Sequence, residues 1–365
     1  MKKTSSLFCL VLCTFILILS CSSKNDNQIS LDEKIGQMLM FGFRGTVATD
    51  EWIQTFSQQI LDYHIGGVLV LSYNIQSPTQ LDSLITHFHN VKKYQETLYA
   101  IDQEGGRVQR LHPNKGFTGF PSAQYTAENL SLSEAYSNYL SLARECKDYG
   151  FNLILAPVVD VNVNPESPAI GNLERSFSSD PQVVTEYASV FIQAIKDIGL
   201  LSSLKHFPGH GSATADSHLG MTDITETWSE TELIPYNLLL ERNLVQSIMS
   251  AHVFNTNFDS EYPASLSENY ITNLLRNDMQ YDGVIITDDL QMGAILNYHT
   301  LEEIIIQSIN SGSDILIFSQ YFEPNIELPA IVHGLIRKAV NDKIISKNRI
   351  NQSYQRIMNF KSQIN

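Results

Sequence analysis

Eight short apolar runs, rich in β-branched residues and continuous rather than alternating, constrain the fold of this 365-residue chain more than any other feature. They cover residues 37–43, 67–71, 98–101, 151–157, 200–205, 246–253, 283–287 and 314–319. A strand buried on both faces shows no polar side, so such runs predict parallel strands covered by helices. Helical periodicity fills the gaps between them. Leu81, Leu84, Ile85 and Phe88 fall on one face, and Val184, Tyr187, Ala188, Phe191 and Ile195 on another, the second opened by Asp180-Pro181 and closed by Gly199. Eight strand–helix units in ~330 residues predict an α/β protein with a (β/α)₈ TIM barrel in a single domain, rather than a doubly wound sheet. The first strand is the least defined, because residues 39–43 could instead end a helix. Gly105-Gly106 follows a strand, but no GxGxxG is present, which argues against a dinucleotide site.

The amino terminus has a different character. Lys2 and Lys3 precede an apolar stretch over residues 7–19. That is short of the ~20 residues that span a bilayer but suits the core of an export signal. Ile18-Leu19-Ser20-Cys21 resembles a bacterial lipobox, which implies lipidation at Cys21; an ordinary signal peptide with an incidental cysteine is the alternative. The expected division is therefore a signal over residues 1–20, a polar tether over 21–29 and the folded domain over 30–365, where Ser30 and Glu33 read as a capping box. Cys9 and Cys13 would leave with the signal and Cys146 alone would remain inside the domain, so no disulfide is expected. The formal charge of −15, or −17 without Lys2 and Lys3, argues against nucleic acid and anionic lipid surfaces as partners. Membrane attachment is expected through acyl chains at Cys21, on an exported and monomeric protein.

In a barrel, chemistry collects at the carboxyl ends of the strands. Asp102 and Glu104 follow the third run, Asp160 the fourth, Lys205-His206 the fifth, His252 lies near the sixth, and Asp288-Asp289 follow the seventh. Asp288 stands where an apolar interior meets a pocket, a setting for a carboxylate nucleophile. Strand alternation would turn Asp289 away, towards capping the next helix. Between residues 205 and 218, Asp216 can orient His218 as a general acid/base. His218 could also be a plain loop histidine. His206 and His210, four apart, imitate a metal-binding spacing that Asp216 and His218 could complete, but Pro208-Gly209 removes the helix that would make them converge. No metal or organic cofactor is expected. His210 is left without a chemical role and is expected to shape the loop.

Several stretches together resemble glycoside hydrolase family 3, in its single-domain β-N-acetylglucosaminidase branch. They are IDQEGGRVQRL at 101–111, FPSAQ at 120–124, LAPVVDVN at 155–162, ERSFSSDP at 174–181, KHFPGHG with DSH across 205–218, and DGVIITDDLQM at 282–292. The resemblance implies retaining cleavage of terminal N-acetyl-β-glucosaminides, such as cell-wall muropeptides, with Asp288 as nucleophile and His218, supported by Asp216, as acid/base. It implies that Asp102, Arg110, Arg175, Lys205 and His206 hold the sugar, although Arg110 could also be a plain rim salt bridge. A neutral imidazole beside the glycosyl ester would admit an anion in place of water, so a phosphorylase is an alternative. A β-glucosidase is less expected, because only ~45 residues follow Ser319 and that branch draws its acid/base from a second large domain. A surface lipoprotein that binds glycans without cleaving them is the reading from another class. One departure concerns Arg175: Asn172-Leu173-Glu174 intervene after Ile170-Gly171 and Ser178 replaces a glycine, so the loop is two residues longer and the reach of Arg175 is open.

Overall fold

In the computed structural model, which describes residues 29–365 other than 92, 94, 218 and 219, nine parallel strands form one sheet within the compact unit Leu31–Asn365. The expected signal, Cys21 and His218 lie outside the described residues. The strands are β1 (Leu39–Phe41), β2 (Gly67–Val70), β3 (Leu98–Ile101), β4 (Leu153–Ile154), β5 (Leu201–Ser202), β6 (Leu204–Phe207), β7 (Ser247–Ser250), β8 (Val284–Asp289) and β9 (Ile315–Phe318). Their order in the sheet is β5-β4-β3-β2-β1-β9-β8-β7-β6.

The nine strands are the eight expected ones, because the fifth run divides at Ser203. On one side of that break, β5 pairs with β4; on the other, β6 pairs with β7. Ser203 N donates to Ile154 O (3.2 Å) and Ala156 O (3.0 Å), and Val159 N donates to Lys205 O (2.8 Å), so the chain crosses from one sheet edge to the other and closes the barrel. Sequence patterning cannot show this division. It arises where one strand must serve two neighbours.

The first strand is shorter than the 37–43 expected. Helix α1 (Leu31–Gln37) takes Gln37, and β1 begins at Leu39. Helices α2 (Glu51–Asp62), α3 (Pro78–His89), α4 (Leu132–Asp148), α5 (Pro181–Asp197), α6 (Ile234–Glu241), α7 (Leu301–Ser311), α8 (Leu328–Asn341) and α9 (Lys347–Lys361) cover the sheet. Ser77 caps α3 by accepting from Gln80 N, with Pro78 at the first position. The face that α3 buries is Leu81, Leu84, Ile85 and Phe88. Phe88 meets Phe43 and Phe56 edge-on at centroid distances of 4.9 and 6.0 Å. Burying such rings contributes ~1.5–3 kcal/mol each, which seats α2 and α3 against the end of β1. Asp180 caps α5 by accepting from Gln182 N, and Gly199 (φ +80°) takes the left-handed conformation that ends it.

Candidate active site

A cavity of about 300 Å³ opens at the carboxyl ends of the strands, lined by Asp102, Arg110, Arg175, Lys205, His206 and Asp288 among others. A larger one, about 560 Å³, lies at the amino ends beside Gln37, His64 and Thr97, away from the strand-end residues Asp102, Lys205 and Asp288. The chemistry is in the smaller.

Its charged wall is a fully paired network. Lys205 Nζ lies 2.9 Å from Asp102 Oδ1 and 2.6 Å from Glu104 Oε1. Arg110 NH2 donates to Asp102 Oδ2 (2.9 Å). Arg175 grips Glu104 with two parallel bonds, Nε to Oε2 at 2.9 Å and NH2 to Oε1 at 2.8 Å, the fork geometry that guanidinium and carboxylate share. Burial alone would raise both carboxyls, but the cations outweigh it. Lys205 and Arg110 hold Asp102 well below the usual carboxylate range, and Arg175 and Lys205 hold Glu104 down at about 2.

The network continues to a histidine. Arg175 NH2 donates to His206 Nε2 (3.2 Å), while His206 Nδ1 lies 2.7 Å from Asp160 Oδ2. The guanidinium on one side and the Asp160 carboxylate on the other fix the orientation of the ring. Asp160 is fully buried; the N–H groups of His206 and His210 also donate to it (3.1 and 2.8 Å), and with the His206 ring they bring its carboxyl below its ordinary range despite burial.

Across the cavity, β8 carries both Asp288 and Asp289, and both line it. This corrects the expectation that Asp289 turns away to cap a helix. Opposite β9 the register moves from Ile286↔Ile315 to Asp289↔Ile317, so three residues advance against two. Such a bulge cancels the alternation and re-aims a side chain. The Asp289 carboxylate accepts from Ser319 N (2.9 Å), from the Ser319 hydroxyl and from Gln291 N (3.1 Å), fastening β8 to the end of β9. Burial pushes its pKa up to about 6 against those bonds, with the Asp288 charge adding to the rise. Asp288 Oδ1 accepts from Asp289 N (2.8 Å). His252 stands behind the wall: its Nε2 donates to Asp289 O (2.9 Å) and its Nδ1 meets Ser265 Oγ (2.6 Å).

The loop after β6 has a fixed stem. Trp228 Nε1 donates to Pro208 O (3.1 Å), Gly211 N to Glu232 Oε2 (2.9 Å), and Asn164 Nδ2 to Ala213 O (3.0 Å). Gly211 is obligatory here, since a Cβ would stand 1.7 Å from Val161 O. His210 is buried beneath, its Nε2 3.1 Å from Ser217 Oγ, and burial pushes it down to about 4, so it is neutral at neutral pH and shapes the loop. Burial likewise raises Glu232 to about 7. Asp216 is half-buried on this loop and is not among the described lining residues. Among the described residues, no three His, Cys, Asp or Glu side chains gather as a metal ion requires.

The glycosyl hydrolase family 3 N terminal domain matches residues 30–360. The chain belongs to glycosyl hydrolase family 3. It is 29% identical over 92% of its length to beta-hexosaminidase A of Pseudoalteromonas piscicida, of which it spans 62%. It is 30% identical over 91% of its length to beta-hexosaminidase LpqI of Mycobacterium tuberculosis, covering 83% of that protein. A solved family 3 beta-N-acetylglucosaminidase from Paenibacillus superposes with a TM-score of 0.83 at 30% identity, over 92% of this chain and 62% of the other.

Within this family 3 barrel, the cavity gathers Asp102, Arg110, Arg175, Lys205, His206 and Asp288. The longer loop before Arg175 forms a single helical turn (Gly171–Leu173) followed by Glu174 in the left-handed region (φ +55°), and the arginine still reaches Glu104. Arg110 is at once a rim ion pair and a lining residue. Glu104 and Asp160 were visible at strand ends but carried no assigned role. Glu104 had a signal of its own: it lies two residues beyond Asp102, on the same side of an extended backbone.

Proposed function

We infer that this chain is an exo-acting, retaining β-N-acetylglucosaminidase in which Asp288 attacks the anomeric carbon. The observation that carries the reading is the small cavity that sets Asp288 opposite the paired network of Asp102, Glu104, Arg110, Arg175 and Lys205. Its volume lies at the lower limit of ligand pockets and suits one sugar residue rather than a threaded polymer. The carboxylates of the network accept from sugar hydroxyls and its cations donate to them, in an arrangement held before substrate arrives.

In the first step the Asp288 carboxylate forms an ester with the sugar, while His218, oriented by Asp216, protonates the departing oxygen. In the second, the same imidazole takes a proton from water, which attacks the ester and releases the sugar. Hydrolysis is favoured over phosphorolysis because Arg110, Arg175 and Lys205 are each already paired with a carboxylate, which leaves little free positive charge to hold a phosphate. The relatives named beta-hexosaminidase support the substrate class. Residues 1–20 would be removed on export and Cys21 lipidated, leaving residues 21–29 as a tether to the catalytic domain at 30–365; cell-wall fragments are then an accessible source of substrate.

The test compares a chromogenic N-acetyl-β-glucosaminide with the matching β-glucoside, each with and without phosphate. Expected are turnover of the first, preference over the second, no dependence on phosphate, and loss of turnover in Asp288→Ala with sugar binding kept. A purified protein that binds the sugar without turnover, unchanged by Asp288→Ala, would make it a glycan-binding protein instead.

A further inference from the structure

Single exposed apolar side chains are ordinary on a protein surface, and Val47, Leu61 and Tyr125 are of that kind. Tyr321 and Phe322 differ from them. They are adjacent, 54% and 38% exposed, and both line the cavity that holds Asp288. Their rings meet edge-to-face at a centroid distance of 5.0 Å, and Tyr321 stacks on Tyr73 at 6.0 Å with planes 22° apart.

The group is braced from beneath. Arg44 lays its guanidinium 4.4 Å from the Tyr73 ring centre and donates through NH2 to Tyr321 O (2.7 Å). Tyr73 donates its hydroxyl proton to Ser319 O (3.2 Å), and Tyr321 N donates to Ser319 Oγ (3.1 Å), the hydroxyl that also bonds Asp289. The aromatic pair is thereby tied to the wall that carries Asp288. A rigid, exposed aromatic surface at the mouth of a sugar pocket offers a face to the C–H side of a second ring.

We propose that Tyr321 and Phe322 form the platform for the leaving group, selecting substrates in which a second pyranose ring follows the scissile bond. This rests on the reading of the chain as an N-acetylglucosaminidase. It adds what that reading leaves open, the chemistry preferred beyond the cleaved bond.

The test uses the purified full chain with two substrates that share the cleaved sugar: N,N′-diacetylchitobiose, whose leaving group is a sugar, and N-acetyl-β-glucosaminyl fluoride, whose leaving group has no ring. Tyr321→Ala and Phe322→Ala are each expected to lower kcat/KM for chitobiose by ~3- to 10-fold and to leave the fluoride within about twofold. Tyr321→Phe, which keeps the ring, should retain chitobiose turnover. Equal losses on both substrates, or no loss on chitobiose, would overturn the platform. A wild-type protein that cleaves neither substrate would overturn the activity itself, so the two failures are distinct.

Discussion

Lys205 and Lys361 are both buried in the barrel, at opposite ends, and they are held in opposite ways. Lys205, 2% exposed, faces two carboxylates, Asp102 and Glu104. Among the described residues, Lys361, 5% exposed, donates to neutral oxygens: Gln37 Oε1 (2.7 Å), Gly66 O (2.9 Å) and Glu96 O (2.7 Å). Burial disfavours the charge on each. At Lys205 the carboxylates outweigh burial and its pKa rises; at Lys361 burial, helped by the Lys93 charge, wins over Glu96 and pushes it down to about 7. The carboxyl end of the barrel thus keeps charge in pairs that a ligand can engage. The amino end uses a lysine as a clasp, fastening α9 to the backbone ahead of β2 and β3.

Removing the charge at each end sharpens the contrast. Lys205→Met leaves two buried carboxylates short of a partner, so it should lower kcat/KM by ~10³-fold and destabilise by ~3–5 kcal/mol, read by kinetics and urea unfolding. A loss of stability without loss of turnover would break the comparison. Lys361→Met should leave kcat/KM within about twofold and change the pH dependence of stability instead. A lysine whose folded pKa lies below its unfolded value of 10.5 binds fewer protons folded than unfolded between about 7 and 10.5. Its cost is fully present below pH 7 and is relieved as pH rises towards 10.5. Wild type should therefore gain ~4 kcal/mol on the variant between pH 6 and pH 10, measured by denaturant titrations at those two values. A flat difference would mean that Lys361 keeps its charge.

A smaller effect is expected at Arg175. Arg175→Lys loses the fork on Glu104 and the bond to His206, and should reduce kcat/KM by ~10-fold. It also bears on acid stability. Glu104, held at about 2 against an ordinary 4.5, contributes stability that is present above pH 4.5 and is lost as pH falls through about 2. With a weaker partner its folded pKa rises, so the variant should begin to unfold at a higher pH than wild type.

The barrel was legible because each strand is buried on both faces and each helix on one, so Val284–Asp289 and the face Leu81, Leu84, Ile85, Phe88 announce themselves locally. Most of the site was legible because barrel chemistry sits at strand ends. What stayed hidden depends on partners distant in the chain. Arg175 and Glu104 are 71 residues apart, and neither predicts the other. The bulge that brings Asp289 to the cavity is a relation between β8 and β9 and leaves no mark on either alone. The break at Ser203 follows from closure, and the clasp at Lys361 depends on three distant backbone segments, so neither has a local pattern to read.

The most direct test of the account is the site of covalent attachment. The full chain is incubated with 5-fluoro-N-acetyl-β-glucosaminyl fluoride, whose ring fluorine slows both formation and hydrolysis of the ester while the good anomeric leaving group restores the rate of formation, so that the ester accumulates, and the protein is then digested for mass spectrometry. The account predicts one glycosyl unit on the peptide that carries Asp288, with the ester localised to that carboxylate. Turnover with no adduct, or an adduct on Asp102, Glu104 or Asp289, would contradict it.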